Sequence, residues 1–288
     1  MKHFHVTQGS DEWLRLRMGK PTASEFHRIM TRTKGPSKAE TVRGYQIELL
    51  TELILDQPLS GVTTASMRHG NAYEATARAA YEMLYGETEL CGFLTDDAET
   101  YGASPDALVG EDGSVEIKCP AKPAIHVAYM MNHDALIEEY FIQTQGQLFV
   151  SGRKWTDLVS YAGGVLPTVT ARVYPDAAFQ EQLKIGVHSF CAAFTDLVER
   201  ASALGFLKVT PNVTAWVQAS DVDWVRKGRE KKRAQGDFDL TDEDISEIWQ
   251  RSQQNGTGAE VIEEPAPTEN PALAVLRSAV IDPGARTK

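Results

Sequence analysis

Ser104-Pro105-Asp106 is followed, after nine residues, by Glu116-Ile117-Lys118. Asp106 stands beside the turn-prone Pro105, where a strand would start. The turn at Gly110-Glu111-Asp112-Gly113 would bring the next strand back alongside it. Glu116 and Lys118 are two apart, so on a strand both point to one face. Two carboxylates and an ammonium group would then meet at adjoining strand ends. Such a patch suits a hard cation such as Mg²⁺, which prefers oxygen ligands and keeps several waters. Held by Asp106, Glu116 and the Ile117 carbonyl, the cation could lower the pKa of an attacking water and stabilise charge developing on a phosphate. Lys118 would orient or deprotonate that water. From average residue usage, this loose spacing arises by chance in roughly one chain in twenty of this length, so the motif alone does not decide. Its plain alternative is a surface hairpin carrying a Glu/Lys pair.

The remaining chain reads as the scaffold for this patch. TASEFHRIM (22–30) resembles a capped helix start, with Ser24 as N-cap and Phe26, Ile29 and Met30 on one face. Residues 38–56 space Leu49, Leu50, Leu53 and Ile54 as an amphipathic helix. A third helix over about 70–85 would align Tyr73, Ala77, Ala80 and Leu84 in a stripe. Residues 89–118 hold the short β-type runs GFLT, TYGAS, DALVG and SVEIK, which predict a small antiparallel meander. Helices at about 123–132 and 136–151, strands at 156–163 and 168–174, and a long helix at 176–204 follow. This order predicts an α/β domain with a mixed central sheet. After residue 209 come the basic run RKGREKKR (226–233), an acidic stretch, a Gly/Pro/Glu-rich tether and the apolar ALAVLRSAV (272–280). The expected division is a domain over 1–208 and an appendage of short helices and flexible linkers over 209–288.

With 42% hydrophobic and 24% charged residues, the 288-residue chain has the balance of a soluble globular protein. No apolar run approaches the ~20 residues that cross a bilayer, and the start MKHFHVTQGSDEW lacks a secretory h-region. Cys91, Cys119 and Cys191 form no CxxC pair, which fits a reducing cytoplasm and excludes a cysteine metal cage. The net charge of −11 argues mildly against a polyanionic partner, although it does not say where the charges sit.

Five blocks in order, EWLRLRMGKPTASEF, HGNAYEATARAAYE, GASPDAL, VEIKCP and YFIQTQGQLFVSG, give the chain a resemblance to the lambda exonuclease / YqaJ-like viral recombinase family of PD-(D/E)xK nucleases. They cover about residues 10–163, and the helix at 176–204 fits the family's last helix. The resemblance implies a restriction-endonuclease-like core in which Asp106 and Glu116 are metal-binding acids. The Ile117 carbonyl would add a ligand, Lys118 would be the catalytic lysine, and Glu74 would complete the metal site from a helix. Read without the family, Glu74 is a solvated helix residue at the edge of the Tyr73 stripe. Gln143 and Tyr140 match residues beside the attacking water. Of the three glutamines 143, 145 and 147, only Gln143 is expected at the site, because Tyr140 precedes it by three positions on one helical face. Arg17, Ser24 and Ser104 match the DNA-binding residues, the first two holding a terminal 5′-phosphate. Arg supplies a fork of donors for that role, and Arg15 is its rival. His69 replaces an aromatic of close relatives and is expected to pack rather than ligate; Cys119 is expected to be an inert thiol and Trp13 a core residue.

The implied activity is a Mg²⁺-dependent 5′→3′ exonuclease on double-stranded DNA ends, leaving 3′ single strands for phage-type recombination. The resemblance implies two Mg²⁺ ions per site, with Mn²⁺ as a substitute, and a ring-shaped homotrimer. A single-strand annealing recombinase as partner, a phage or prophage origin and a bacterial cytoplasmic location are further expectations. The competing readings are a structure-specific endonuclease of the same superfamily and a non-catalytic module that binds DNA ends.

Overall fold

The computed structural model describes residues 1–33, 35–59 and 65–207. The basic run, the tether and ALAVLRSAV of the expected appendage lie outside the described residues. The chain opens with β1 (Lys2–Phe4) and α1 (Asp11–Arg17), then a 3₁₀ helix (Ala23–Arg28) and the small hairpin β2 (Met30–Thr31) and β3 (Gly35–Pro36). Helices α2 (Ala39–Leu55) and α3 (Ala65–Tyr85) lead into β4 (Glu89–Leu90), β5 (Phe93–Thr95), β6 (Gly102–Ala103), β7 (Ala107–Val109) and β8 (Gly113–Lys118). Next come α4 (Pro123–Met131), α5 (His133–Ser151), β9 (Trp155–Ser160), β10 (Val169–Val173) and α6 (Ala177–Ala203).

A five-stranded mixed sheet in the order β10-β9-β8-β7-β4 forms the centre. Its β8 and β9 are parallel, and such a pair requires a crossover, here made by α4 and α5. Residues 113–117 of β8 are all buried, because helices cover both faces. Val115 and Ile117 face α3 and pack with Ala77, Tyr81 and Val159, whereas Leu158 of β9 faces the α4–α5 layer with Leu136, Ile137 and Leu148. Strand alternation therefore sends Glu116 and Lys118 to the α5 side. A larger core lies between the 3₁₀ helix, α2 and α6, built on Phe26, Met30, Tyr45, Leu183, Phe190 and Phe194. Among the described residues, no helix is long and apolar enough to cross a membrane.

Helices α5 and α6 start at Asn132 and Asp176, whose side chains accept the Asp134 and Phe179 amides at 3.1 and 3.0 Å. Three expectations need correction. The residues 89–118 do not form one meander: β5 and β6 join β1 in a separate three-stranded sheet, while β4, β7 and β8 belong to the central one. The 22–30 segment is a 3₁₀ helix in which Thr22 is the N-cap position, without a side-chain cap bond, and Ser24 lies inside it. Helix α3 begins at Ala65, five residues early, and of the expected stripe Ala77 is buried and Ala80 packs against the same core, but Tyr73 does not face inward. Tyr73 is exposed, whereas Ala77 and Tyr81 are fully buried, with half-buried Glu74 one turn before Ala77.

Candidate active site

Asp106 enters β7 from the Ser104-Pro105 link. Its amide donates to the Val115 carbonyl at 3.0 Å, and its carboxylate accepts the Ile117 N–H at 2.5 Å. A strand sends one residue's N–H and C=O to the same side, so the Ile117 carbonyl also faces the Asp106 edge. On the other face of β8, Glu116 is 4% exposed and accepts from three side chains. Lys118 Nζ and Gln143 Nε2 donate to its Oε1 at 2.7 and 2.6 Å. Gln147 Nε2 donates to its Oε2 at 2.5 Å. Lys118 Nζ also donates to Gln143 Oε1 at 3.0 Å and lies 4.4 Å from the Tyr140 ring centroid. Tyr140, Gln143 and Gln147 are spaced three and four apart, one face of α5.

Burial lifts the Asp106 carboxyl well above the usual carboxylate range, and the neighbouring Glu116 and Glu74 charges lift it further. Burial and Glu116 likewise raise Glu74. Burial alone would lower the Lys118 ammonium, but Glu116 and Asp106 outweigh it and raise it. Lys118 is thus held as a cation. Burial pushes the Cys119 thiol up to about 11, which keeps it protonated and non-nucleophilic. His69 stacks against Tyr73 at 4.6 Å, a packing contact.

Among the described residues, no three His, Cys, Asp or Glu side chains close around a point that would hold a metal ion. The hydrogen bonds explain this: Glu116 is turned onto Lys118, Gln143 and Gln147, and Asp106 onto the Ile117 amide. The donor set nevertheless fits a hard cation. Asp106, Glu116 and Glu74 repel one another across a site compensated by Lys118 and, at Glu74, by Arg78, and the ligand atoms these acids offer are oxygens.

The second group lies where the 3₁₀ helix meets β6. Arg17 stacks 4.2 Å from the Trp13 ring centroid and donates to Thr22 Oγ1 at 3.2 Å. Thr22 Oγ1 lies 3.3 Å from Ser24 Oγ, and the Trp13 indole donates to Ser104 Oγ at 2.9 Å. Arg17, Ser24 and Ser104 thus share one polar chain that ends two residues before Asp106. Half-buried Arg17 makes no ion pair with a carboxylate among the described residues, and burial lowers its pKa. Arg15 is exposed and outside this chain. The backbone explains the meeting: Thr22 bridges Gly102 of β6, and the Gly102 amide donates to the Pro21 carbonyl at 3.0 Å.

Two residues escaped the sequence reading. Gln147 reaches the site together with Gln143, contrary to the expectation of one glutamine; the signal available was their separation of four. Thr22 joins Arg17 to Ser24, which nothing in its sequence position marks. Gln145 is indeed elsewhere, its amide bound to the Tyr174 carbonyl and the Asp176 N–H. A cavity of about 280 Å³ opens between α2 and α6, beside Met30, Val42 and Phe190, and no residue of either group lines it.

The sequence model of the YqaJ-like viral recombinase domain matches residues 12–154, which include both groups. Among solved structures, an alkaline exonuclease from Laribacter hongkongensis is 29% identical, with a TM-score of 0.60 over 68% of this chain and 98% of that one. A structure of that exonuclease in complex with dAMP gives 30% identity and a TM-score of 0.58 over 68% and 100%. A phage-related exonuclease from Haemophilus somnus 129PT is 15% identical, with a TM-score of 0.51 over 63% and 96%, a likeness of fold alone. No curated protein matches the sequence. The shared architecture is the restriction-endonuclease-like arrangement that the resemblance implied.

Proposed function

Because the chain belongs to the YqaJ-like viral recombinase family, we propose that it is a nuclease that degrades DNA from an end. The observation that supports this most is the convergence of Asp106, Glu116, Lys118 and Gln143 at the end of β8. The finer reading is a Mg²⁺-dependent 5′→3′ exonuclease that leaves 3′ single strands for recombination.

In this reading Asp106, Glu116, Glu74 and the Ile117 carbonyl would hold two Mg²⁺ ions, or Mn²⁺ in their place. When bound, these ions supply charge neutralisation at the phosphate and an acidified water. Lys118 would orient or deprotonate the water, and as an ammonium it would counter charge on the phosphate oxygens. Gln143, bonded to both Lys118 and Glu116, fixes the distance between them. Tyr140 lends its ring face to the ammonium. Arg17, with Thr22 and Ser24, offers donors to a terminal 5′-phosphate and so sets polarity. Ser104 stands between the two groups.

The same reading includes double-stranded DNA ends as substrate, a ring-shaped homotrimer, a single-strand annealing recombinase as partner and a bacterial cytoplasmic setting. The test is a linear duplex labelled on either strand, with and without Mg²⁺. Progressive loss of the 5′-phosphorylated strand, dependent on the metal, is the expected result. Internal cuts would turn the reading to the endonuclease, and no cleavage with Mg²⁺ or Mn²⁺ would turn it to an end-binding module.

A further inference from the structure

We infer that Gln147 is a positioning residue, which anchors one oxygen of the Glu116 carboxylate so that the other is presented to the cation. The inference rests on the metal-dependent reading above. Gln147 is 1% exposed, so it touches neither solvent nor DNA and acts only through Glu116. Its Nε2 donates to Glu116 Oε2, while its own Oε1 has no hydrogen-bond partner among the described residues. A buried amide carbonyl left unpaired is unfavourable, and a Leu or Met of similar volume would avoid that cost.

The comparison with Gln145, two residues earlier on α5, sharpens the point. Gln145 uses both ends of its amide, donating to the Tyr174 carbonyl and accepting from the Asp176 N–H and from Gln180. That is an amide whose bonds hold the fold together. Gln147 spends one end only, and spends it on a site carboxylate. The two oxygens of Glu116 are also treated differently. Oε1 receives Lys118 and Gln143, which bond to each other as well. Oε2 receives Gln147 alone, from the buried side. A carboxylate held at Oε2 from the buried side keeps its direction when Oε1 exchanges Lys118 and Gln143 for a cation.

The experiment uses the full-length protein, with Gln147→Leu and Gln147→Met beside the parent and Asp106→Asn. Mn²⁺ binding is measured by titration calorimetry without DNA, and duplex degradation is followed over a Mg²⁺ series and a DNA series. Residues that orient a metal ligand contribute roughly 10- to 100-fold to metal affinity. Gln147→Leu is expected to weaken Mn²⁺ binding and raise half-saturating Mg²⁺ by that factor, with the KM for DNA and the circular dichroism spectrum unchanged. Gln147→Met, closer in shape, meets the same criteria if the leucine variant does not fold. Mn²⁺ affinity within about twofold of the parent in a folded Gln147 variant, with Asp106→Asn abolishing binding, overturns the inference and leaves the metal reading standing. A parent protein that binds no Mn²⁺ overturns both.

Discussion

The Trp13 indole donates to Ser104 Oγ at 2.9 Å, and the same ring carries the Arg17 guanidinium 4.2 Å above it. Helix α1 is thereby fastened to the link that leads into Asp106. In the proposed reading this contact would tie recognition of a strand end to the position of the acids. Arg17→Ala should reduce the preference for 5′-phosphorylated over 5′-hydroxyl duplex by ~10- to 100-fold, the range of a lost charge-assisted hydrogen bond. Arg15→Ala should leave the preference intact, because Arg15 is exposed and outside the polar chain. Initial rates on paired substrates that differ only in the 5′ group decide the matter, and a larger effect at Arg15 would reverse the assignment.

Lys118→Ala, Glu116→Ala and Asp106→Ala should each reduce cleavage by roughly three orders of magnitude or more, since each removes a ligand or a charge at the reacting phosphate. The folded spectrum should survive in all three. Full activity in any one of them removes that residue from the site.

The contribution of Asp106 to the stability of the metal-free protein should fall as pH rises. Asp106 has its folded-state pKa raised, by burial and then by Glu116 and Glu74. The folded state therefore holds that proton more tightly than the unfolded state. The associated stabilisation is complete below the ordinary carboxylate range and is lost as pH rises through the raised value. Asp106→Asn keeps an acceptor for the Ile117 amide and removes the charge. In EDTA it should raise the Tm at neutral pH by a few degrees, about 1 kcal/mol for a domain of this size. Thermal melts across a pH series check this, and a variant that melts below the parent at every pH would contradict it.

Fold and chemistry should separate at Asp157. This fully buried acid of β9 accepts two bonds from Arg172, both at 2.8 Å, and the Tyr81 hydroxyl at 2.7 Å. Arg172→Met strands a buried charge and should cost about 3–5 kcal/mol, seen as a fall in denaturant midpoint. The rate per folded molecule should not change, because Arg172 touches neither group of the site. A rate loss without a stability loss would give the pair a part in the chemistry.

Residues 209–288 should be dispensable for cleavage, since both groups lie before residue 148. A chain ending at 208 is expected to remain a Mg²⁺-dependent nuclease. If the basic run 226–233 grips the DNA backbone, the truncated chain should also lose processivity at moderate salt. Rates of the two chains at low and moderate salt test the division, and an insoluble or inactive short chain would show that the later residues belong to the domain.

Strand parity made Glu116 and Lys118 legible in the sequence, because a two-residue period fixes their common face before any partner is known. Helix periodicity placed α2, α4, α5 and α6 within a few residues. It misplaced only the first turn of the α3 row, where half-buried Glu74 and not Tyr73 precedes Ala77 on the inward side. Pairing of β5 and β6 with β1 was not legible: runs of two or three residues carry no mark of their neighbour, and Lys2–Phe4 did not stand out as a strand. Ser24 illustrates another limit, since a residue suited to capping serves equally well inside a 3₁₀ turn. Gln147 follows Gln143 by four positions, so the periodicity that places Gln143 on the site face of α5 places Gln147 there as well.

The Ser104-Pro105 link crosses from the three-stranded sheet to the central one, and Gln8 pins it by donating to the Pro105 carbonyl at 2.8 Å. Two residues of backbone span at most ~7 Å, which is a fixed length of covalent chain between the grip on a strand end and the first acid. Such a link acts as a ruler. In the proposed reaction it keeps Ser104, and with it the Trp13 ring that carries Arg17, at one covalent distance from the first acid, so the group that would hold the end and the group that would cut cannot drift apart from one turnover to the next.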